Sequence, residues 1–117
     1  MGRTVLIVDD HSGFRASARE LLEAEGFEVV GEADDAASAV EAARRLRPDI
    51  VLLDIQLPDA DGVQVSRKIE TENGRPEIVL VSSRDVSYLA GALAECPACG
   101  FISKSQLSGA ELRKLIA

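Results

Sequence analysis

Short apolar runs alternate with amphipathic stretches along the whole chain. Five runs rich in Val, Leu and Ile predict strands, at residues 4–8, 27–31, 50–53, 78–81 and 101–103. A short continuous apolar run bounded by turn residues is typical of a strand buried on both faces, as in a parallel sheet.

Apolar residues at helical spacing follow each predicted strand. Ser12 is the expected cap of the first helix and Gly26 its stop; Asp34 or Asp35 caps the second. Further helices are predicted over residues 62–70, around residues 86–93, and after the capping box at residues 108–111. Five β-α units in succession predict right-handed crossovers and a parallel sheet with helices on both faces.

Length and composition narrow the class of protein. A chain of 117 residues with 46% hydrophobic residues predicts one globular domain. It has no run as long as a membrane helix and no signal peptide at its start, so a cytoplasmic location is expected. The net charge of −7 argues against direct nucleic-acid binding and favours a cation or a basic protein surface.

Polar side chains stand where four of the predicted strands end. Asp9 and Asp10 follow the first strand, and Asp54 follows the third. Ser82 follows the fourth strand and Lys104 the fifth. Because the carboxyl ends of parallel strands share one edge of a sheet, we expect these five side chains to gather there. Any one of them alone is explained by a helix cap or a solvated loop charge.

Three carboxylates that ionise close together repel one another and need a counter-charge. Lys104 supplies one positive charge, and a divalent cation would supply the rest. Oxygen-only ligands, without His or Cys, indicate a hard ion, for which Mg²⁺ is the first candidate. The carboxylate of Asp54 could then attack phosphorus and form an aspartyl phosphate, with the cation and Lys104 stabilising the transferring group.

Four segments resemble the receiver domain of bacterial two-component response regulators: L-I-V-D-D at 6–10, V-L-L-D-I-Q-L-P-D-A-D-G at 51–62, V-L-V-S-S at 79–83 and G-F-I-S-K at 100–104. D-D-H with Phe14-Arg15 behind it, and Ser105 after Lys104, resemble the subfamily with a LuxR-type helix-turn-helix output domain. The resemblance implies a flavodoxin-like (CheY-like) doubly wound sheet of five parallel strands, in the order 2-1-3-4-5, with residues 1–117 as one receiver domain.

The resemblance also assigns roles at the site. It implies that Asp54 is the phosphoacceptor and that Asp9 and Asp10 form the acidic pair. Mg²⁺ would be ligated by the carboxylates of Asp10 and Asp54 and by the backbone carbonyl of Gln56. Asp9 belongs to the same metal site.

The remaining family positions imply a switch. Ser82 matches the hydroxyl that reaches the phosphoryl group, Ser83 the small residue after it, and Lys104 the phosphate-contacting lysine. Phe101 matches the aromatic whose rotamer follows the state of Ser82. Ser105 stands where the family usually has Pro, which departs from the usual pattern.

The function that the resemblance implies is phosphorylation-dependent signalling rather than turnover of a separate substrate. A sensor histidine kinase would phosphorylate Asp54, and the surface of the fourth helix, fifth strand and fifth helix would change to control an output domain or partner. DNA binding is expected in a C-terminal domain outside this chain, with no membrane partner. Dimerisation of this domain is left open.

Parts of the sequence also fit other functions. A stand-alone receiver could act as a phosphorelay intermediate or phosphate sink, and a pseudo-receiver would no longer be phosphorylated. A phosphatase with an Asp nucleophile needs a second Asp where Gln56 stands. Cys96 and Cys99 could form a redox pair, but they end a predicted helix instead of opening one, so small buried residues are the simpler interpretation. We interpret His11 as a surface or capping histidine just outside the phosphorylation pocket.

Overall fold

Five parallel strands form the sheet that the apolar runs predict. The computed structural model describes residues 3–55, 57–59, 62–73, 76–82 and 99–116. The strands are β1 (Thr4–Val8), β2 (Glu28–Ala33), β3 (Ile50–Asp54), β4 (Glu77–Ser82) and β5 (Cys99–Ser103). The helices are α1 (Ser12–Ala24), α2 (Ala36–Leu46), α3 (Gly62–Asn73) and α4 (Gly109–Ile116), and a 3₁₀ turn spans Lys104–Gln106.

The order of the strands in the sheet is β2-β1-β3-β4-β5, and every neighbouring pair is parallel. This confirms the predicted flavodoxin-like topology. The predicted helix around residues 86–93 lies outside the described residues, as do Gln56, Ser83 and Cys96. None of the helices in the described ranges combines the length and the hydropathy of a membrane-spanning segment.

The polar residues at the strand ends belong to the strands themselves. Asp54 is the last residue of β3 and Ser82 the last of β4, although the apolar pattern stops one residue earlier in each case. The backbone N–H of Ile55 still donates to the carbonyl of Val81 at 3.1 Å. Hydrogen bonding between these strands therefore continues past the last apolar side chain, which fixes the position of the Asp54 backbone.

The core lies in two layers, one on each face of the sheet. Along β1, Leu6 and Val8 point into the layer covered by α2 and α3, and Val5 and Ile7 point into the layer covered by α1 and α4. All four side chains are fully buried. Successive residues of a strand point to opposite faces, so a strand that is apolar at every position requires helices on both sides. The prediction of helices on both faces of the sheet is confirmed for the helices that the structure describes.

Three helix starts and one helix end were predicted from the sequence, and two of those starts and the end belong to α1 and α4. The prediction for Ser12 was wrong, because Ser12 is the first residue of α1 and the capping position before it is held by His11. Gly26 ends α1 as predicted, with a φ of 95° that a side chain would oppose. The backbone N–H of Glu111 donates to the hydroxyl of Ser108 at 3.1 Å, which confirms that bond of the predicted capping box.

The amino end of α2 is capped by two aspartates from different parts of the chain. Asp35 accepts the backbone N–H of Ser38 at 2.8 Å. The sequence predicted Asp34 or Asp35 as the cap of this helix, and Asp35 is the one that caps it. Asp59, in the segment after β3, accepts the backbone N–H groups of Ala36 and Ala37 at 2.7 and 3.2 Å. The segment that follows Asp54 in the chain is therefore fastened to α2.

Candidate functional site

The carboxyl edge of the sheet gathers the polar residues that the sequence placed there. Asp9 directly follows β1, Asp54 ends the neighbouring strand β3, and Ser82 ends β4. Lys104 follows β5 and begins the 3₁₀ turn. Because β1, β3, β4 and β5 are consecutive in the sheet, their ends form one continuous rim.

Asp9 is the most deeply buried charged residue of this rim, with none of its surface exposed. Its two carboxylate oxygens have different partners. Oδ1 accepts the backbone N–H of His11 at 2.8 Å, and Oδ2 lies 2.6 Å from the ammonium of Lys104. A buried carboxylate needs such pairing, since an isolated charge away from water costs several kcal/mol or more.

Lys104 connects two of the aspartates. Its Nζ lies 2.6 Å from Asp9 Oδ2 and 3.4 Å from Asp54 Oδ2, and it stands 4.6 Å from the centre of the Phe14 ring. Burial alone lowers the pKa of Lys104, but the hydrogen bond and charge of Asp9 together with the charge of Asp54 outweigh it and raise this pKa above its ordinary value. The ammonium is therefore protonated throughout the neutral range.

Four side chains at the amino end of α1 and the end of β3 could hold a metal ion. One ligand atom from each of Asp9, Asp10, His11 and Asp54 lies within 4.8 Å of all the others. Three of the four are carboxylates, and Lys104 neutralises only one charge among them. A set in which three of four side chains are carboxylates fits a hard divalent cation such as Mg²⁺.

Ser82 and Phe101 lie beside this cluster on the neighbouring strands. Ser82 is buried, with 3% of its surface exposed, and is paired in register with Ser103 of β5. Phe101 is half-buried, is paired with Leu80 of β4, and packs against the core layer under α2 and α3. The hydroxyl and the ring are thus on the adjacent strands β4 and β5, of which β4 is the neighbour of β3. Their roles remain predictions.

Three neighbours of the acidic pair were not assigned to the site from the sequence. His11 Nδ1 lies 3.1 Å from Asp9 Oδ1 and 3.0 Å from Asp10 Oδ1. Phe14 supports Lys104, and Arg15 donates from Nη1 to the backbone carbonyl of Asp9 at 2.5 Å. The signal that could have found them is their spacing, since residues three and four apart share one face of a helix.

Arg15 also ties this end of β1 to the edge strand of the sheet. Its Nε lies 3.0 Å from Glu32 Oε1 on β2, and the Nε of Arg19 lies 2.8 Å from the other oxygen of Glu32. One guanidinium therefore contacts both the backbone of the acidic pair and an anchored carboxylate, which restrains the start of α1.

Comparison with known proteins gives a consistent result. The family model described as the response regulator receiver domain matches residues 5–117. The response regulator GacA of Pseudomonas aeruginosa is 33% identical over 113 residues, which is 96% of this chain and 51% of that protein. The chain spans about half the length of the curated relatives that it matches, with 49% and 51% of the first two covered.

Solved structures share the fold. A two-component response regulator of the LuxR family from Aurantimonas sp. SI85-9A1 superposes with a TM-score of 0.86 and 34% identity, over 99% of this chain and 83% of that one. CheY in the CheX-CheY-BeF3-Mg complex from Borrelia burgdorferi gives a TM-score of 0.81 and 25% identity, over 97% of this chain and 86% of the matched chain.

Proposed function

The chain belongs to the family of response regulator receiver domains, and on that premise we propose that it is a phosphorylation-dependent switch with Asp54 as the phosphoacceptor. Residues 1–117 then form one receiver domain. The observation that carries the proposal is the ammonium of Lys104, which lies between the carboxylates of Asp9 and Asp54. A cation in that position is ready to contact a phosphoryl group on Asp54.

The proposed reaction is an in-line transfer to the carboxylate of Asp54. An oxygen of Asp54 forms a bond to phosphorus as the bond from phosphorus to the donor imidazole of a histidine kinase breaks, and the imidazole nitrogen keeps the electron pair. The carboxylates of Asp9, Asp10 and Asp54 and the carbonyl of Gln56 would hold Mg²⁺, which would supply positive charge where the phosphoryl group is transferred.

Lys104 has two tasks in this reaction. In the unphosphorylated state its single positive charge offsets part of the negative charge of Asp9 and Asp54, which repel each other and the incoming phosphoryl group. After the transfer its ammonium shifts from the Asp54 oxygen to a phosphoryl oxygen, and Asp9 keeps it close. The Phe14 ring limits how far the ammonium can move.

The switch follows from the new charge on Asp54. A phosphoryl group adds negative charge and three acceptor oxygens, and the hydroxyl of Ser82 on the next strand donates to one of them. Movement of Ser82 frees space that Phe101 fills from β5. The surface formed by the predicted helix around residues 86–93, β5 and α4 then changes, and an output domain or partner protein detects it.

The partners and location follow from the same premise. A sensor histidine kinase is the phosphodonor, and the other half of a longer regulator carries a DNA-binding output domain of the LuxR type. This domain itself contacts neither nucleic acid nor membrane, acts in the cytoplasm, and can pair with a second copy of itself. It promotes the transfer to its own Asp54 and the later loss of that phosphoryl group instead of converting a separate substrate.

Mass spectrometry after incubation with acetyl phosphate and Mg²⁺ tests the proposal. We expect one phosphoryl group per chain, which is absent from Asp54→Ala and after chelation of the metal. Asp34→Ala, an exposed aspartate outside the rim, is the matched control and should keep the adduct. A wild-type chain that gains no phosphoryl group would contradict the switch.

A further inference from the structure

We propose that His11 is a fourth protein side chain in the metal site, where its imidazole nitrogen favours first-row ions such as Mn²⁺ over Mg²⁺. This inference rests on the proposed function, because it extends the same metal site. It concerns an imidazole that is not among the oxygen ligands assigned above.

The distances around His11 have the spacing of neighbouring ligands on one ion. Its Nδ1 lies 3.0 Å from Asp10 Oδ1 and 3.1 Å from Asp9 Oδ1. Adjacent vertices of an octahedron with bonds of about 2.1 Å are about 3.0 Å apart. Two of the spacings that a shared ion requires are therefore already present.

The largest distance between the four ligand atoms is also close to what an octahedral ion requires. All four ligand atoms lie within 4.8 Å of one another, and opposite vertices of that octahedron are about 4.2 Å apart. Asp10 and His11 have 39% and 70% of their side-chain surface exposed, so small rotations can close the difference. The buried side chain of Asp9 stays in place while the side chains of Asp10 and His11 rotate towards the ion.

The backbone and the ring of His11 have separate tasks. Its backbone N–H donates to Asp9 Oδ1 at 2.8 Å, which holds the residue beside the acidic pair. Although His11 occupies the capping position of α1, its side chain makes no capping hydrogen bond to the helix. The Nδ1 atom is directed at two carboxylates instead, and a helix cap does not explain that direction.

Imidazole nitrogen changes which ion the site prefers. A neutral ring that carries its proton on Nε2 offers the Nδ1 lone pair, and Nε2 can face solvent because the ring is exposed. Mg²⁺ prefers oxygen ligands, whereas imidazole suits first-row transition ions. Mn²⁺ accepts carboxylates as well as imidazole, so it gains from this mixed set relative to Mg²⁺.

The competing explanation is that His11 only braces the acidic pair with an Nδ1–H donor. His11→Gln separates the two, because an amide can still donate to a carboxylate but is a poor ligand for these ions. The chain contains one histidine, so any imidazole nitrogen bound to a metal in an untagged protein belongs to His11.

Pulsed EPR of Mn²⁺ bound to the untagged chain tests the inference. We expect a nitrogen coupling from the first ligand shell in the wild type and its loss in His11→Gln. In titrations with each metal, the preference for Mn²⁺ over Mg²⁺ should fall by about tenfold in His11→Gln. Asp54→Asn is the control for the site itself and should weaken the binding of both ions.

The outcomes separate this inference from the proposed function. Mn²⁺ that binds in an Asp54-dependent manner without a nitrogen coupling overturns the role of His11 and leaves the metal site standing. A coupling with an unchanged preference between the ions overturns the selectivity. Failure of both ions to bind in an Asp54-dependent manner overturns the metal site as a whole.

Discussion

Replacing Lys104 by Met removes the ammonium between Asp9 and Asp54 and keeps most of the length and apolar stem of the side chain. Both aspartates are nearly or fully buried. In the variant neither carboxylate has the ammonium of Lys104 beside it. We therefore expect the folded state to lose stability, because water cannot solvate the buried carboxylate of Asp9 in place of the lysine.

The size of the loss follows from the distance and the burial. Two unit charges 2.6 Å apart, as Lys104 Nζ and Asp9 Oδ2 are, attract by about 6 kcal/mol at an effective dielectric constant of about 20. Desolvation offsets much of this attraction, and breaking one partner of a buried pair costs about 3–5 kcal/mol. Since 15% of the Lys104 side chain is exposed, solvent screening reduces the cost to about 2–3 kcal/mol.

Urea unfolding at neutral pH and without divalent ions measures this loss. Lys114→Met is the matched control, since Lys114 forms an exposed pair with Glu111 at 3.2 Å and should contribute less than about 0.5 kcal/mol. If Lys104→Met is no less stable than Lys114→Met, then the pairing of Lys104 with the two aspartates does not hold the rim together.

The pH dependence gives a second check on the same pair. The pKa of Lys104 is raised in the folded state by Asp9 and Asp54 against the effect of burial. The contribution of the Lys104 ammonium to the free energy of unfolding is therefore fully present below the ordinary lysine pKa of 10.5. It is lost as the pH rises through the higher pKa of Lys104 in the folded state. The difference in unfolding free energy between wild type and Lys104→Met should be constant near neutrality and narrow only in strongly alkaline solution.

Three further predictions concern other parts of the fold. Gly26→Ala should cost about 1–2 kcal/mol in urea unfolding because of its φ of 95°, whereas Gly13→Ala, in α1 with open space around the added carbon, should be neutral or stabilising. Hydrogen bonds from the side chain and backbone of Ser38 lower the pKa of Asp35 in the folded state. The ionised Asp35 should therefore stabilise the fold above pH 3.8, and this contribution to the unfolding free energy should decline as the pH falls through the lower folded pKa. Asp35→Ala should lack this pH dependence. Ser82→Ala should still take a phosphoryl group from acetyl phosphate, but the NMR shift changes along β5 that accompany it in the wild type should be absent.

The sheet and its two helical faces could be predicted because they depend on burial, which the period of apolar residues reports directly. The limits of the strands could not. Asp54 and Ser82 are polar, yet each ends a strand because the backbone hydrogen bonds of β3 and β4 continue beneath them. The pattern of apolar residues indicates which side chains are buried. It does not indicate where the backbone hydrogen bonds between two strands end.

The composition of the rim was also predictable, since parallel strands bring their ends to one edge. The pairing within it was not. Lys104 lies closer to Asp9 than to Asp54, at 2.6 against 3.4 Å, and that choice depends on side-chain angles across three strands. Asp59 caps α2 through Ala36 and Ala37, which lie 23 and 22 residues before it in the chain. No local sequence pattern reveals a contact over that separation.

The cap from Asp59 has a consequence for the entropy of binding at the rim. The chain leaves Asp54 with the N–H of Ile55 bonded to β4, and by Asp59 it is bonded to α2. Ile55 and Asp59 therefore have few conformations left to lose when a ligand binds beside them, and little of the binding free energy is spent on ordering these two residues. Asp59→Ala should therefore weaken Mg²⁺ binding at Asp54, although Asp59 is not one of the side chains proposed to hold the ion. Calorimetry should show the loss as a larger entropic cost of binding.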